Sequence, residues 1–148
     1  MNDKLEIIDR LLLKPCYVID VLPKRVPISS KGQFYEVEHY LLNNFEEYGL
    51  HNRYTGIILK LMCYYETSVY WDGNWLDTPA PERIVDAVNK IMNHHFGTLD
   101  VLFAEDDALL VFEGGCLNMS VYNPSDHMKS IMASLAMSEG LFWWKSEA

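Results

Sequence analysis

The sequence predicts one α+β domain spanning residues 1–148, in which about four or five helices pack on an antiparallel sheet. Helix-like and strand-like patterns occur in runs and do not alternate strictly along the chain, which is typical of α+β folds. An Asp72-Gly73 dipeptide between two strand-like segments indicates a hairpin, since Gly tolerates the backbone of such tight turns. Near the C-terminus, three apolar segments are joined by turns too short to hold a helix, which predicts an antiparallel meander.

The N-terminal segment predicts a short helix followed by a strand. A helix is expected over residues 4–13 and ends at Pro15, and residues 16–22 form a strand rich in Val and Ile. Apolar residues recur in the helix at helical spacing: Leu5, Ile8 and Leu12.

The helix with the strongest sequence signals is expected to begin near Ser30. Ser30 with Gln33 three residues later fits a capping box, and Gly49 provides a left-handed stop. Its apolar stripe is expected to face the core and consists of Phe34, Val37, Leu41, Phe45 and Tyr48. The following residues 51–66 fit both a helix and a strand; we expect a helix to about Met62 and a strand from about Tyr64.

The remaining elements follow from turn signals. Trp71 and Trp75 flank the Asp72-Gly73 turn and are expected to pair across the hairpin. A helix follows Pro81 and ends at Gly97, and another opens at Ser125 and ends at Gly140. The predicted meander strands are about 99–103, 108–112 and 117–122, and residues 141–144 form either an edge strand or a packed tail. Polar residues on these strands predict that one face of the sheet is more exposed to solvent and that helices cover the other face.

The net charge of −9, from 21 acids and 12 bases, restricts the classes of partner. It argues against nucleic acid and against an anionic membrane surface, because both are bound through clustered Lys and Arg. A basic protein partner and simple solubility are both compatible with it. No Lys or Arg occurs between Lys90 and Lys129, a stretch that carries six acids: Asp100, Glu105, Asp106, Asp107, Glu113 and Asp126.

The sequence contains no signal-peptide pattern and no apolar run approaching the roughly 20 residues needed to cross a bilayer. A cytoplasmic location is therefore expected.

Catalytic and metal-binding motifs are weak. Cys16, Cys63 and Cys116 are far apart, lack ligand spacing and have apolar neighbours, so we expect them to act as small hydrophobic residues. The five His residues show no HxH or HxxxH pattern, and no GxSxG elbow occurs. No catalytic residue, metal ligand or cofactor is predicted; whether the chain is an enzyme stays open, with a non-enzymatic role favoured.

Several segments resemble small bacterial proteins of unknown function. They are Lys14–Pro23, Val26-Pro27, Ser30, Gly32-Gln33, Val37-Glu38, Leu61, Cys63–Tyr65, Asn123–Ser125 and Glu139–Phe142. This resemblance implies no activity and no site residues. In size, acidity and α+β character the chain is also similar to immunity proteins that neutralise bacterial toxins, although no motif carries that likeness.

Three functional hypotheses follow. In the first, a cytosolic interaction module, immunity- or inhibitor-like, binds a basic protein through exposed aromatic and acidic side chains, because Trp and Tyr dominate binding hot spots. The predicted partner-binding residues are Trp71, Trp75, Glu105, Asp106 and Asp107. In the second, a small molecule binds in a cleft between sheet and helices, in a small-molecule-binding domain or small enzyme, at Asp20, Tyr64 and Asn118. The third is an acidic mimic of nucleic acid.

Overall fold

The computed structural model describes residues 2–146, except for the side chains of residues 2 and 31. The described part contains six helices: α1 (Asn2–Leu11), α2 (Lys31–Asn43), α3 (Phe45–Tyr48), α4 (Leu50–Leu61), α5 (Pro81–His94) and α6 (Asp126–Ser138). It contains seven strands: β1 (Cys16–Asp20), β2 (Ser68–Trp71), β3 (Asn74–Asp77), β4 (Thr98–Phe103), β5 (Ala108–Glu113), β6 (Asn118–Tyr122) and β7 (Phe142–Lys145).

All seven strands form one antiparallel sheet in the order β3-β2-β4-β5-β6-β1-β7. The predicted meander is confirmed as β4-β5-β6, and the predicted hairpin as β2-β3. Strand β1 inserts between β6 and β7, so strands from the two ends of the described chain lie side by side. The α+β architecture expected from the sequence is therefore present, with an edge strand at the C-terminal end.

Helices cover one face of the sheet and part of the other. The main core joins α4, α5 and α6 to alternate residues of the strands, with side chains such as Tyr54, Phe103 and Phe112 fully buried. A second cluster packs α1 on the opposite face through Ile8 and Leu11. The expectation that helices cover one face only is therefore wrong, because the apolar stripe of α1 needs a buried surface of its own.

The β2-β3 turn has the geometry the sequence predicts, with Asp72 at φ 53° and Gly73 at φ 77°. The predicted Trp71–Trp75 pair is wrong. A two-residue turn places Trp71 opposite Asn74 and Trp75 opposite Tyr70, whose ring centroid lies 5.0 Å from that of Trp75.

The predicted capping box at the start of α2 is absent. Ser30 closes a short 3₁₀ helix, Ile28–Ser30, and its side chain makes no capping hydrogen bond. The predicted core stripe is also wrong in part, because the helix breaks at Asn44 and restarts as α3. Leu42 and Phe45 are buried there, whereas Val37 and Tyr48 are exposed. Gly49 provides the predicted left-handed stop with φ 63°.

The ambiguous segment 51–66 lies largely in α4, as expected, but the next strand begins at Ser68 and not near Tyr64. Helix α5 ends at His94, and its C-cap residue His95, with a left-handed φ of 54°, lies two residues before the predicted end at Gly97. Helix α6 begins where predicted, and the Ser125 hydroxyl accepts a hydrogen bond from the Met128 N–H at 3.1 Å.

Candidate functional site

The two tryptophans of the predicted partner surface lie on opposite faces of the β2-β3 hairpin. Trp71 packs against the main core, with the Lys90 ammonium 5.5 Å from its ring centroid. Trp75 packs against the α1 cluster, with the Lys4 ammonium at 5.4 Å. Both rings are half-buried, so much of their surface already contacts this chain.

The acidic turn between β4 and β5, which contains Glu105, Asp106 and Asp107, lies apart from these two rings. Trp71 is level with the start of β4, whereas Glu105, Asp106 and Asp107 follow its end. Glu105 is exposed, but Asp107 is paired with Arg10 at an Nη2–Oδ1 distance of 2.5 Å. Arg10 lowers the pKa of Asp107 through this hydrogen bond. The structure therefore does not bring the five predicted partner-binding residues together.

Two of the three predicted pocket residues are brought together. Asp20 ends β1 and lies opposite Asn118 at the start of β6, and both line one cavity of about 200 Å³. Tyr64 lies in the segment after α4 and lines a separate depression beside Cys63. Cys63 is exposed, which corrects its expected role as a buried hydrophobic residue.

The cavity lies where α2 packs over the end of the sheet. Asp20, Leu117 and Asn118 come from the strand ends, and the aromatic rings of Phe34, Tyr35 and Trp144 also line it. The Trp144 indole donates a hydrogen bond to the Leu22 carbonyl at 3.1 Å, which fixes that ring. The remaining lining residues are Arg25, Val26 and Glu38. We call this cavity the Asp20 pocket.

The Asp20 pocket is lined by two carboxyl groups, Asp20 and Glu38, and by one cationic side chain, Arg25. Asp20 is only 7% exposed, and burial raises its pKa, opposed in part by the nearby backbone N–H groups of Leu22 and Val21. Burial also raises the pKa of Glu38, and the charge of Asp20 adds to that effect. Within residues 2–146, neither carboxylate forms an ion pair with a Lys, Arg or His side chain.

A larger groove adjoins the Asp20 pocket and shares Arg25, Asn118 and Trp144 with it. It has a volume of about 900 Å³ and runs over the open face of β6, β1 and β7. Lys14 and Lys145 also line it, so the groove is positively charged where the pocket is negatively charged.

The outer surface of α2 and α3 combines exposed aromatic rings with carboxylates. Between Lys31 and Arg53 the sequence contains no Lys or Arg. Four large apolar or aromatic side chains there are between 43% and 55% exposed: Tyr35, Val37, Tyr40 and Tyr48. Three exposed carboxylates accompany them: Glu36, Glu46 and Glu47. These seven residues lie on α2 and α3, and we refer to them together as the α2–α3 face.

The sequence indicates that the carboxylates of this face are exposed, but it does not predict exposure of the aromatic and apolar residues beside them, because helical spacing of apolar residues normally predicts burial. The break at Asn44 turns the chain, so that Tyr40 and Tyr48 meet each other, with ring centroids 6.2 Å apart. The signal that pointed to this surface was the run of acids without an intervening base.

A second carboxyl pair lies on the α1 side of the sheet. Asp100 is half-buried opposite Tyr70 of β2, and burial together with the charge of Glu113 raises its pKa to about 6. Neither residue belongs to the Asp20 pocket or to the α2–α3 face.

The described residues include no group of three or more His, Cys, Asp or Glu side chains that could hold a metal ion. Across residues 2–146, no helix is both long and apolar enough to cross a membrane. Comparison of the chain with family models, with curated proteins and with solved structures found no match.

Proposed function

We propose that this chain is a protein-interaction module that binds a basic protein through the α2–α3 face, in an immunity- or inhibitor-like role in the cytoplasm. The observation that supports the proposal is that α2 and α3 carry exposed aromatic rings together with exposed carboxylates that form no ion pair within the described residues. The proposal moves the docking surface away from the β2-β3 hairpin and the acidic turn.

Charge supports a basic partner. Glu36, Glu46 and Glu47 are exposed, and none of them is ion-paired within the described part of the chain. A negative patch of this kind steers a positively charged protein toward it and speeds association at low ionic strength. It repels nucleic acid and anionic membranes for the same reason.

Aromatic exposure supports a protein rather than a free ion as the partner. Tyr35, Tyr40 and Tyr48 present large rings that lose little conformational entropy when a partner covers them. Tyr is enriched among residues that carry most of the binding energy at protein interfaces. Single exposed apolar residues are ordinary, whereas four on two consecutive helices support a docking surface there.

Selection of displayed random dodecapeptides on the immobilised protein tests the proposal. The proposal predicts enrichment of Arg and Lys together with aromatic residues, and binding that weakens as salt is raised. The double substitution Glu36→Lys/Glu47→Lys is expected to abolish binding of the selected peptides.

The matched control is Glu105→Lys/Asp106→Lys, which changes the net charge by the same amount at the acidic turn. Peptides selected on the unmodified protein are expected to bind this variant with little loss. Equal loss in both variants would show that only net charge matters, and selection of acidic or purely apolar peptides would exclude a basic partner. DNA binds basic peptides through its phosphates, so peptide binding is measured in the absence of nucleic acid.

A further inference from the structure

We propose that the Asp20 pocket receives one arginine side chain of the basic partner. This inference rests on the proposed function, since it names the partner group that enters beside the α2–α3 face. Tyr35 links the two sites, because it belongs to the α2–α3 face and also lines the pocket.

The dimensions of the pocket fit one side chain. Its volume of about 200 Å³ lies below the range of about 300–1,000 Å³ that holds drug-sized ligands. The cavity opens beside α2, so a side chain projecting from a partner docked on that helix reaches it without crossing the sheet.

The chemistry of the lining selects a cation. Asp20 is an ionisable group more than nine-tenths buried, and a second carboxyl group, Glu38, lies close enough for the charge of Asp20 to raise its pKa. A buried carboxylate without a side-chain partner is costly, and a bound cation removes that cost. The free protein therefore holds unfavourable charge that a ligand of opposite sign relieves.

The remaining walls favour a guanidinium over an ammonium. A guanidinium is planar, carries five N–H donors and stacks on aromatic faces, whereas an ammonium is a compact and strongly hydrated point charge. The pocket offers the rings of Phe34, Tyr35 and Trp144 for stacking, and the Asp20 and Glu38 carboxylates as acceptors.

Arg25 also lines the pocket but does not fill this role in the free protein. It is exposed and makes no ion pair with Asp20 or Glu38 in the described structure. A like charge at the opening weakens binding of an incoming cation, so Arg25→Gln is expected to strengthen it by about threefold.

The experiment uses N-acetyl-arginine methylamide as the probe and N-acetyl-lysine methylamide for comparison. Titration of the ¹⁵N-labelled protein is expected to shift the Trp144 indole N–H and the Asn118 side-chain amide. The arginine derivative is expected to bind at millimolar concentration and at least several-fold more tightly than the lysine derivative. Asp20→Asn and Glu38→Gln are each expected to weaken binding about tenfold, because each removes one charged hydrogen-bond acceptor.

Glu66→Gln is the control, since Glu66 is exposed and lies outside both sites; binding should not change. If Asp20→Asn does not fold, the surface-accessible Glu38→Gln carries the test. Equal binding of the lysine derivative would overturn the choice of a guanidinium as the ligand. The proposal as a whole would be overturned if the pocket signals did not shift, or if the Arg25→Gln variant bound the arginine derivative more weakly. Basic peptides that bind Asp20→Asn as well as the unmodified protein leave the α2–α3 proposal standing and exclude the pocket.

Discussion

Replacing Asp100 by Asn removes a carboxylate whose ionisation opposes folding at neutral pH. Burial, with a smaller contribution from the charge of Glu113, raises the pKa of Asp100 from 3.8 to about 6. That change corresponds to about 3 kcal/mol between the two protonation states. Because Asp100 is only half-buried, solvent screening reduces this to about 1–2 kcal/mol.

The sign of the pH dependence follows from where the proton binds more tightly. Folded Asp100 keeps its proton to higher pH than unfolded Asp100, so its contribution to stability is complete below about pH 4 and is lost as pH rises through about 6. The Asp100→Asn variant lacks this loss. Its free energy of unfolding, relative to the unmodified protein, is therefore expected to be about 1–2 kcal/mol more favourable at pH 8 than at pH 3.5.

Urea denaturation at both pH values measures this difference, and comparison between pH values cancels any effect of the amide on packing. Glu66→Gln is the control, because that carboxylate is exposed and lies in a loop. Glu113→Gln is expected to produce a smaller change of the same sign, since burial is the larger cause of the raised pKa. An Asp100→Asn effect that is equal at the two pH values, or larger at pH 3.5, would refute the reasoning.

Four further substitutions test how the fold is held together. Tyr54→Phe removes a fully buried hydroxyl that donates a hydrogen bond to the Leu117 carbonyl. The free energy of unfolding in urea is expected to fall by about 1–3 kcal/mol, and an unchanged value would contradict this hydrogen bond. Ser125→Ala removes the N-cap hydroxyl of α6 and is expected to lower the free energy of unfolding by about 1 kcal/mol. Ser30→Ala is expected to cost less, because the Ser30 side chain makes no capping hydrogen bond. A lower melting temperature for Ser30→Ala than for Ser125→Ala would disprove this. Gly114→Ala places a Cβ 2.5 Å from a backbone nitrogen of the α5-β4 connection, so this variant should melt below both serine variants, and an unchanged melting temperature would show that the connection yields freely.

Several elements that depend on local signals were predicted well. The Asp72-Gly73 turn was predictable because few residues tolerate positive φ at both central positions. The meander followed from short turns, and Ser125 from the preference of helix starts for a hydroxyl. Each of these features is decided by a few neighbouring residues.

The exposure of the α2 stripe depends on tertiary contacts, whereas the Ser30 capping box and the Trp71–Trp75 pair are local predictions that failed. The apolar spacing around Val37 predicted a buried stripe, but the break at Asn44 left much of it exposed. Helical spacing identifies a face and cannot tell whether the rest of the fold or a partner covers it.

The candidate site was predictable only in part for the same reason. Asp20 and Asn118 were expected in one cleft and meet because β1 pairs with β6, a contact between distant segments. Glu38 and Trp144 were not foreseen, since only the folded chain brings α2 and β7 to the same cavity.

Amide chemical-shift mapping with one defined peptide tests the central claim most directly. The peptide alternates Arg and Ala over twelve residues and is added to the ¹⁵N-labelled protein at low ionic strength. We predict that the largest shifts fall between residues 35 and 48 and disappear in Glu36→Lys/Glu47→Lys. Shifts confined to residues 105–107, or spread evenly over the acidic surface, would contradict a docking surface on α2 and α3.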